Sequence, residues 1–175
     1  MSSIKKVCVI GPECTGKTVL SESLARHLKT VWVEEYARAY LNRLNKPYEE
    51  GDLLKIAHGQ LRMEDEWSVD ANKVLICDTN LIVIKVWSEF KYGHVDKQIL
   101  DLISSRKYDL YLLTYIDIPW AADPLREHPD KRDVLYDIYL KEMKNQSAPF
   151  IEVKGNEQER LNMALQAISK YVINE

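Results

Sequence analysis

Gly11, Pro12, Glu13, Cys14, Thr15, Gly16, Lys17 and Thr18 form the pattern G-x-x-x-x-G-K-[ST]. Two glycines, a lysine and a hydroxyl at this spacing are what a polyphosphate needs. Lacking a Cβ, Gly11 and Gly16 let the backbone curl tightly around phosphate oxygens. The Lys17 ammonium is expected to reach the β- and γ-phosphates, and the Thr18 hydroxyl to ligate Mg²⁺. Such a loop requires a strand to place it and a helix N-terminus to lend it positive potential. Both are legible, in the apolar run Val7-Cys8-Val9-Ile10 before it and the helical pattern that begins near Val19 after it. Residues 11–19, Val19 included, are therefore the expected contacts of a nucleoside triphosphate.

The rest of the chain alternates strand and helix without internal repeats. Strands are expected at Ile4–Ile10, Val31–Val33, Val74–Cys77, Leu110–Leu113 and Phe150–Val153. Helical patterns cover Thr18–Lys29, Glu35–Leu44, Glu50–Asn72, Leu81–Tyr92, Val95–Lys107, Val134–Asn145 and Glu157–Val172, with Asn45-Lys46-Pro47 as a break. Unbroken apolar strands separated by helices predict an α/β fold, a parallel sheet of about five strands covered on both faces. The first strand is expected near its middle, with Val74–Cys77 beside it. Ligands of such sheets sit at the carboxyl ends of the strands.

Three further groups of residues fall at those strand ends. Asp78 closes the third strand, where a carboxylate on the Mg²⁺ side is expected, though an Asp there also suits the N-cap of the following helix. Glu34 and Glu35 follow the second strand. Either would suit as the base that takes the proton of an acceptor hydroxyl in phosphoryl transfer, and Arg38 lies one helical turn beyond Glu35. Residues 116–132 hold three prolines and many charges, too irregular for a core element. A segment like this, approximately 117–132, suits a lid whose Arg126 and Arg132 neutralise charge on the transferred group. An irregular charged surface loop would carry the same composition.

Composition narrows the class. A chain of 175 residues suits a single domain, and 46% hydrophobic with 29% charged residues is ordinary for a globular protein. A net charge of −3 argues against nucleic acid as the main partner. No apolar stretch approaches the ~20 residues that span a bilayer, and Met1-Ser2-Ser3-Ile4-Lys5-Lys6 lacks the form of a signal peptide. Cys8, Cys14 and Cys77 are odd in number and lack metal-ligand spacing, which suits reduced thiols in a cytoplasm. Oligomeric state is left open, a homo-oligomer included.

Taken in order, Gly-Pro-Glu-x-x-Gly-Lys-Thr, Glu35-Tyr36-Ala37-Arg38, Ile56-Ala57-His58-Gly59-Gln60, Asp78-Thr79 with Lys85-Val86-Trp87, and Asp117-Ile118-Pro119-Trp120 with Asp123 and Arg126 resemble one family. It is the bacterial ribosylnicotinamide (nicotinamide riboside) kinase, found as the kinase domain of the bifunctional NAD-biosynthesis regulator. The resemblance runs from about Val7 to Gly155. It implies a P-loop nucleoside-triphosphate hydrolase fold of the nucleoside/nucleotide-kinase type with a lid, and ATP-dependent phosphorylation of the 5′-hydroxyl of nicotinamide riboside with Mg²⁺. The family usually carries Gly after the lid Asp, and Pro124 stands there in this chain, a departure that bears on how the lid closes. No adenylyltransferase or DNA-binding module precedes the kinase region, so the resemblance implies a stand-alone enzyme that makes nicotinamide mononucleotide.

The residue types fit such a substrate. A flat cationic ring calls for aromatic faces and carboxylates, and ten Tyr and four Trp stand against two Phe. Trp120 and Tyr36 are the candidates for stacking, whereas Trp87 suits a helix core. Gln60 suits a hydrogen bond to the carboxamide or a ribose hydroxyl, or equally a helix surface, and His58 suits a structural or exposed position. Together with Glu35, Arg38, Asp78 and Asp123 these are the expected acceptor contacts. A kinase of another nucleoside or small alcohol, or a non-catalytic nucleotide switch, would use the same loop.

Overall fold

The computed structural model describes residues 4–173. The terminal residues 1–3 and 174–175, which belong to the expected single domain, lie outside the described residues. Five strands form one sheet: β1 (Lys5–Ile10), β2 (Trp32–Val33), β3 (Val74–Asp78), β4 (Leu110–Thr114) and β5 (Phe150–Val153), in the spatial order β2-β3-β1-β4-β5. Every pairing is parallel. Val7 faces Ile76 of β3 and Leu110 of β4, so the first strand is central as expected. Parallel neighbours require crossovers, and helices supply them. These are α1 (Lys17–Leu28), α2 (Tyr36–Arg43), α3 (Glu50–Ser68), α4 (Leu81–Tyr92), α5 (Lys97–Ser104), α6 (Arg132–Lys144) and α7 (Glu157–Ile168), with a π-helical turn at Ser169–Ile173.

Strand residues alternate between two cores. Val7, Val9, Ile76 and Leu112 pack with Leu20 and Leu24 of α1 and Ala164 and Ile168 of α7. Cys8, Ile10, Cys77 and Leu113 point the other way, onto Ile82 of α4 and Leu135, Tyr139 and Met143 of α6. Burial on both faces explains why these strands read as continuous apolar runs. A third cluster joins α2, α3, α4 and α5 beside the sheet. Among the described residues no helix is long and apolar enough to cross a membrane.

Several helix ends differ from expectation. α3 stops at Ser68, short of Asn72, and α5 is confined to Lys97–Ser104. Asp96 sets the start of α5, its side chain accepting from the Gln98 N–H at 2.7 Å. The lid region, by contrast, contains only a single 3₁₀ turn at Pro129–Lys131.

The Ala57-x-Gly59-Gln60 segment owes its composition to a close approach. A Cβ at Gly59 would stand 2.0 Å from the Tyr36 ring, so this glycine lets α2 lie against α3. Gly51, in the same helix, has nothing within 4 Å of its would-be Cβ. Gly→Ala in a helix ordinarily stabilises by up to ~1 kcal/mol. Gly51→Ala is expected to do so, whereas Gly59→Ala is expected to destabilise by about 1–3 kcal/mol through overpacking. Urea unfolding of the two variants checks the opposite signs.

Candidate active site

The phosphate loop turns at residues in the left-handed region: Gly11 at φ 148°, Gly16 at φ 78° and, at higher cost, Cys14 at φ 54°. A Cβ on Gly11 would stand 2.5 Å from Thr114 Oγ1 of β4, so only glycine fits. Gly16 is the N-cap of α1, and the positive end of that helix therefore opens on the loop. Lys17 Nζ donates to the Pro12 carbonyl at 2.7 Å. The Thr18 hydroxyl donates to Asp78 Oδ2 at 2.6 Å.

Asp78 ends β3 and is 1% exposed. The N-cap of α4 is Asn80, whose side chain accepts from the Ile82 N–H at 3.0 Å, so Asp78 has no capping role. Between them Thr79 is held at φ 70°, a strained setting for a β-branched residue of the kind that gathers at functional sites. Asp78 Oδ1 is buried with no hydrogen-bond partner. Burial, and then the neighbouring Glu35 carboxylate, push Asp78 up to about 6 from the ordinary 3.8. A buried carboxylate with one oxygen unpartnered and the other on a threonine hydroxyl fits a hard divalent cation. No three His, Cys, Asp or Glu side chains cluster among the described residues, so such a cation would take its remaining ligands from phosphate and water.

A cleft of about 250 Å³ opens over the loop. Residues 11–19 line it, as do Glu35, Arg38 and Arg126. Glu35 is the N-cap of α2 and makes no capping hydrogen bond, leaving its carboxylate to the cleft. Glu34 is exposed and does not line it. The far wall is α4, which presents Val83, Trp87 and Phe90, with Tyr139 of α6 below. A second cavity of about 220 Å³ adjoins it, lined by Leu20, Ser23, Ile118 and Arg160, and shares Cys14, Gly16, Val19 and Arg126 with the first.

Several expected contacts are occupied elsewhere. Gln60 is buried in α3, where Oε1 accepts from the Tyr36 N–H at 2.8 Å and Nε2 donates to the Glu34 carbonyl at 3.3 Å. It thus clamps the β2–α2 turn that carries Glu35. The Tyr36 ring packs over Gly59 and does not line the cleft. Trp120 also lies outside it, with the guanidinium groups of Arg126 and Arg132 at 5.9 and 5.7 Å from its ring. Arg132 spends its Nη1 on the carbonyls of Cys14 and Ile118, at 3.1 and 2.8 Å, and so fastens the lid to the loop. Asp123 pairs with Arg38 at 3.0 Å.

Trp87, which suited a helix core, lines the cleft instead, and Phe90 lines it as well. The clue is their spacing with Val83 on α4, a stripe at one helical face. Arg160 was not legible at all. It is 2% exposed and donates to the carbonyls of Thr15 at 2.6 Å, Gly155 at 2.8 Å and Tyr115 at 3.0 Å, and to Asp117.

The parallel sheet, the glycine-bent loop and the helix behind it define a P-loop nucleotide-binding protein. Residues 6–160 match an AAA domain family, and the chain belongs to that family. It is 27% identical over 159 residues to the trifunctional NAD biosynthesis/regulator protein NadR of Salmonella typhimurium, a match covering 86% of this chain and 38% of that protein. The chain thus spans well under half the length of this curated relative. A crystal structure of NadR protein in complex with NR has the same fold, with a TM-score of 0.80 and 21% identity over 97% of this chain and 52% of that one. A structure of NadR protein with NAD and AMP-PNP matches with a TM-score of 0.74 and 23% identity, over 97% and 50%.

The raised Asp78 carries a stability signature. Its folded pKa lies above the unfolded value, so its contribution is fully present below pH ~4 and is lost as pH rises through about 6. Each tenfold difference in proton affinity between the two states is worth ~1.4 kcal/mol. Asp78→Asn removes that loss. In EDTA the variant is expected to be about 1–3 kcal/mol more stable than wild type near pH ~7.5, with the gap closing near pH ~4. Denaturant titrations at the two pH values check it.

Proposed function

We propose that this protein transfers the γ-phosphoryl group of ATP to the 5′-hydroxyl of nicotinamide riboside, giving nicotinamide mononucleotide. One observation carries the reading: two cavities meet at the phosphate loop, and Glu35 lines the larger one beside Asp78. A nucleotide switch needs one cavity, whereas a phosphoryl transferase needs one on each side of the transferred group. Similarity to NadR, a protein solved with NR and with AMP-PNP, supports the choice of substrates. The described residues are read as one kinase domain with 117–132 as its lid.

In this reading the donor base occupies the smaller cavity and the acceptor the larger. Lys17 leaves the Pro12 carbonyl for the β- and γ-phosphates, exchanging a neutral acceptor for a charged one. Thr18 and Asp78 would hold Mg²⁺, which neutralises phosphate charge when bound. Arg126, which lines both cavities, faces the group in transit. Glu35 takes the acceptor proton as the hydroxyl oxygen bonds to the γ-phosphorus and the bond to ADP breaks. Trp87 and Phe90 supply the faces for the cationic ring, and the Glu35 carboxylate lies in the same cleft.

Steady-state kinetics on a nucleoside panel test this. Nicotinamide riboside is expected to exceed uridine, cytidine and thymidine in kcat/KM, and a preference for a neutral nucleoside would overturn the substrate assignment. Lys17→Ala is expected to abolish turnover without unfolding the protein. Glu35→Gln is expected to lower kcat by about 10² or more, with Glu34→Gln near wild type. Trp87→Ala is expected to raise KM for nicotinamide riboside more than KM for ATP, and Trp120→Ala to lack that selectivity.

A further inference from the structure

The lid is docked in this structure, and its docking residues join the phosphate loop to the side chains around the larger cavity. The backbone N–H groups of Glu127 and His128 donate to the two carboxylate oxygens of Glu13 in the phosphate loop, each at 3.2 Å. The side chains of the same two residues reach the opposite way. Glu127 accepts from the Tyr48 hydroxyl, at 3.1 Å on one oxygen and 3.2 Å on the other, and Lys91 stands 3.6 Å from it. The His128 ring meets Phe90 edge-on at 4.9 Å.

Tyr48, on the segment between α2 and α3, has no hydrogen-bonding capacity to spare. A phenol donates once and accepts twice. Its oxygen accepts from Trp87 Nε1 at 2.8 Å and from Lys91 Nζ, and its proton goes to Glu127. Its ring meets Trp87 edge-on at 4.8 Å, and Lys91 Nζ lies 3.8 Å above it. With all three positions filled, the hydroxyl points one way, and Glu127 is the group it points to.

We propose that Tyr48 and Glu127 form a latch that keeps the lid on the phosphate loop, and that occupancy of the acceptor cleft tightens it. Both are positioning residues. Trp87 and Phe90 line the cleft and are the same rings that touch Tyr48 and His128. A ring stacked on them restricts their rotamers and, through them, the two lid contacts. The ordering that lid closure requires is then partly made before ATP binds, which is positive coupling without a new direct contact. Reciprocity requires ATP to tighten the acceptor by the same factor. The coupling part rests on the assignment of the larger cavity to the acceptor, and the latch itself does not.

Two measurements on the full chain decide it. Amide hydrogen exchange without ligands reads the Glu127 and His128 N–H groups directly. Tyr48→Phe keeps the ring and loses the proton given to Glu127, so exchange at those amides is expected to rise about tenfold or more, as a contact-dependent opening should. Glu127→Ala is expected to match it, Glu127→Gln to fall between because an acceptor oxygen remains, and Tyr40→Phe to leave lid exchange at the wild-type rate. Unchanged lid exchange in Tyr48→Phe would overturn the latch.

The second measurement is the Kd of AMP-PNP by calorimetry, with and without saturating nicotinamide riboside. The wild-type ratio is expected to be about fivefold or more, and near one in Tyr48→Phe and Glu127→Ala. A variant that loses nucleotide affinity equally in both conditions has a structural defect, and that result would overturn the coupling. If nicotinamide riboside does not bind at all, the functional reading fails, and the exchange experiment still decides the latch.

Discussion

A loop that turns its amides toward an anion must turn its carbonyls toward something else, and buried carbonyls need donors. Much of this molecule is arranged to supply them. Pro12 O receives the Thr15 hydroxyl at 2.8 Å and Lys17 Nζ at 2.7 Å. Cys14 O receives Arg132 from the start of α6, and Thr15 O receives Arg160 from α7. Arg160 simultaneously holds the exits of β4 and β5 through Tyr115 and Gly155, so loop shape and strand-end geometry are set by one guanidinium. Its planar fork makes that possible, since lysine could not span the same acceptors in fixed directions.

The positions of the phosphate motif that its pattern leaves unspecified have a definite use here. Glu13 and Cys14 face the lid. Glu13 accepts two lid amides, and Cys14 Sγ accepts the Ala121 N–H at 3.2 Å. Pro124 is compatible with this closure. It occupies the second position of a turn in which the Arg126 N–H donates to the Asp123 carbonyl at 3.0 Å, and proline presets the backbone for that position. The Asp123 side chain reinforces the turn by accepting from Leu125 and pairing with Arg38.

Asp78 shows the opposite economy. It is placed where its charge is costly, with one oxygen unpartnered, next to a strained Thr79 and near a second carboxylate. A side chain selected for stability alone would not be left so. The arrangement fits a site that a cation and phosphates would complete, and the local destabilisation is the counterpart of readiness to bind.

By itself the sequence determined whatever depends on contiguous residues or on strand topology. The phosphate loop is eight consecutive residues between a strand and a helix, so its position follows from local pattern. The apolar runs became the five strands, and Asp78 and Glu35 came to the site because parallel strands all end at one edge of the sheet. Only the tertiary structure decided which side chains at that edge face the cleft. Gln60, Tyr36 and Trp120 sit in segments that reach the site, yet packing against Gly59, the β2–α2 turn and two arginines turned them elsewhere. Trp87, Phe90, Tyr48, Glu127 and Arg160 gain their roles from partners far along the chain, 39 residues away for Trp87 on Tyr48 and 145 for Arg160 on Thr15. Such pairings depend on helix rotation and lid docking, which no local propensity encodes, because each is set by the packing of elements that meet only in the folded chain.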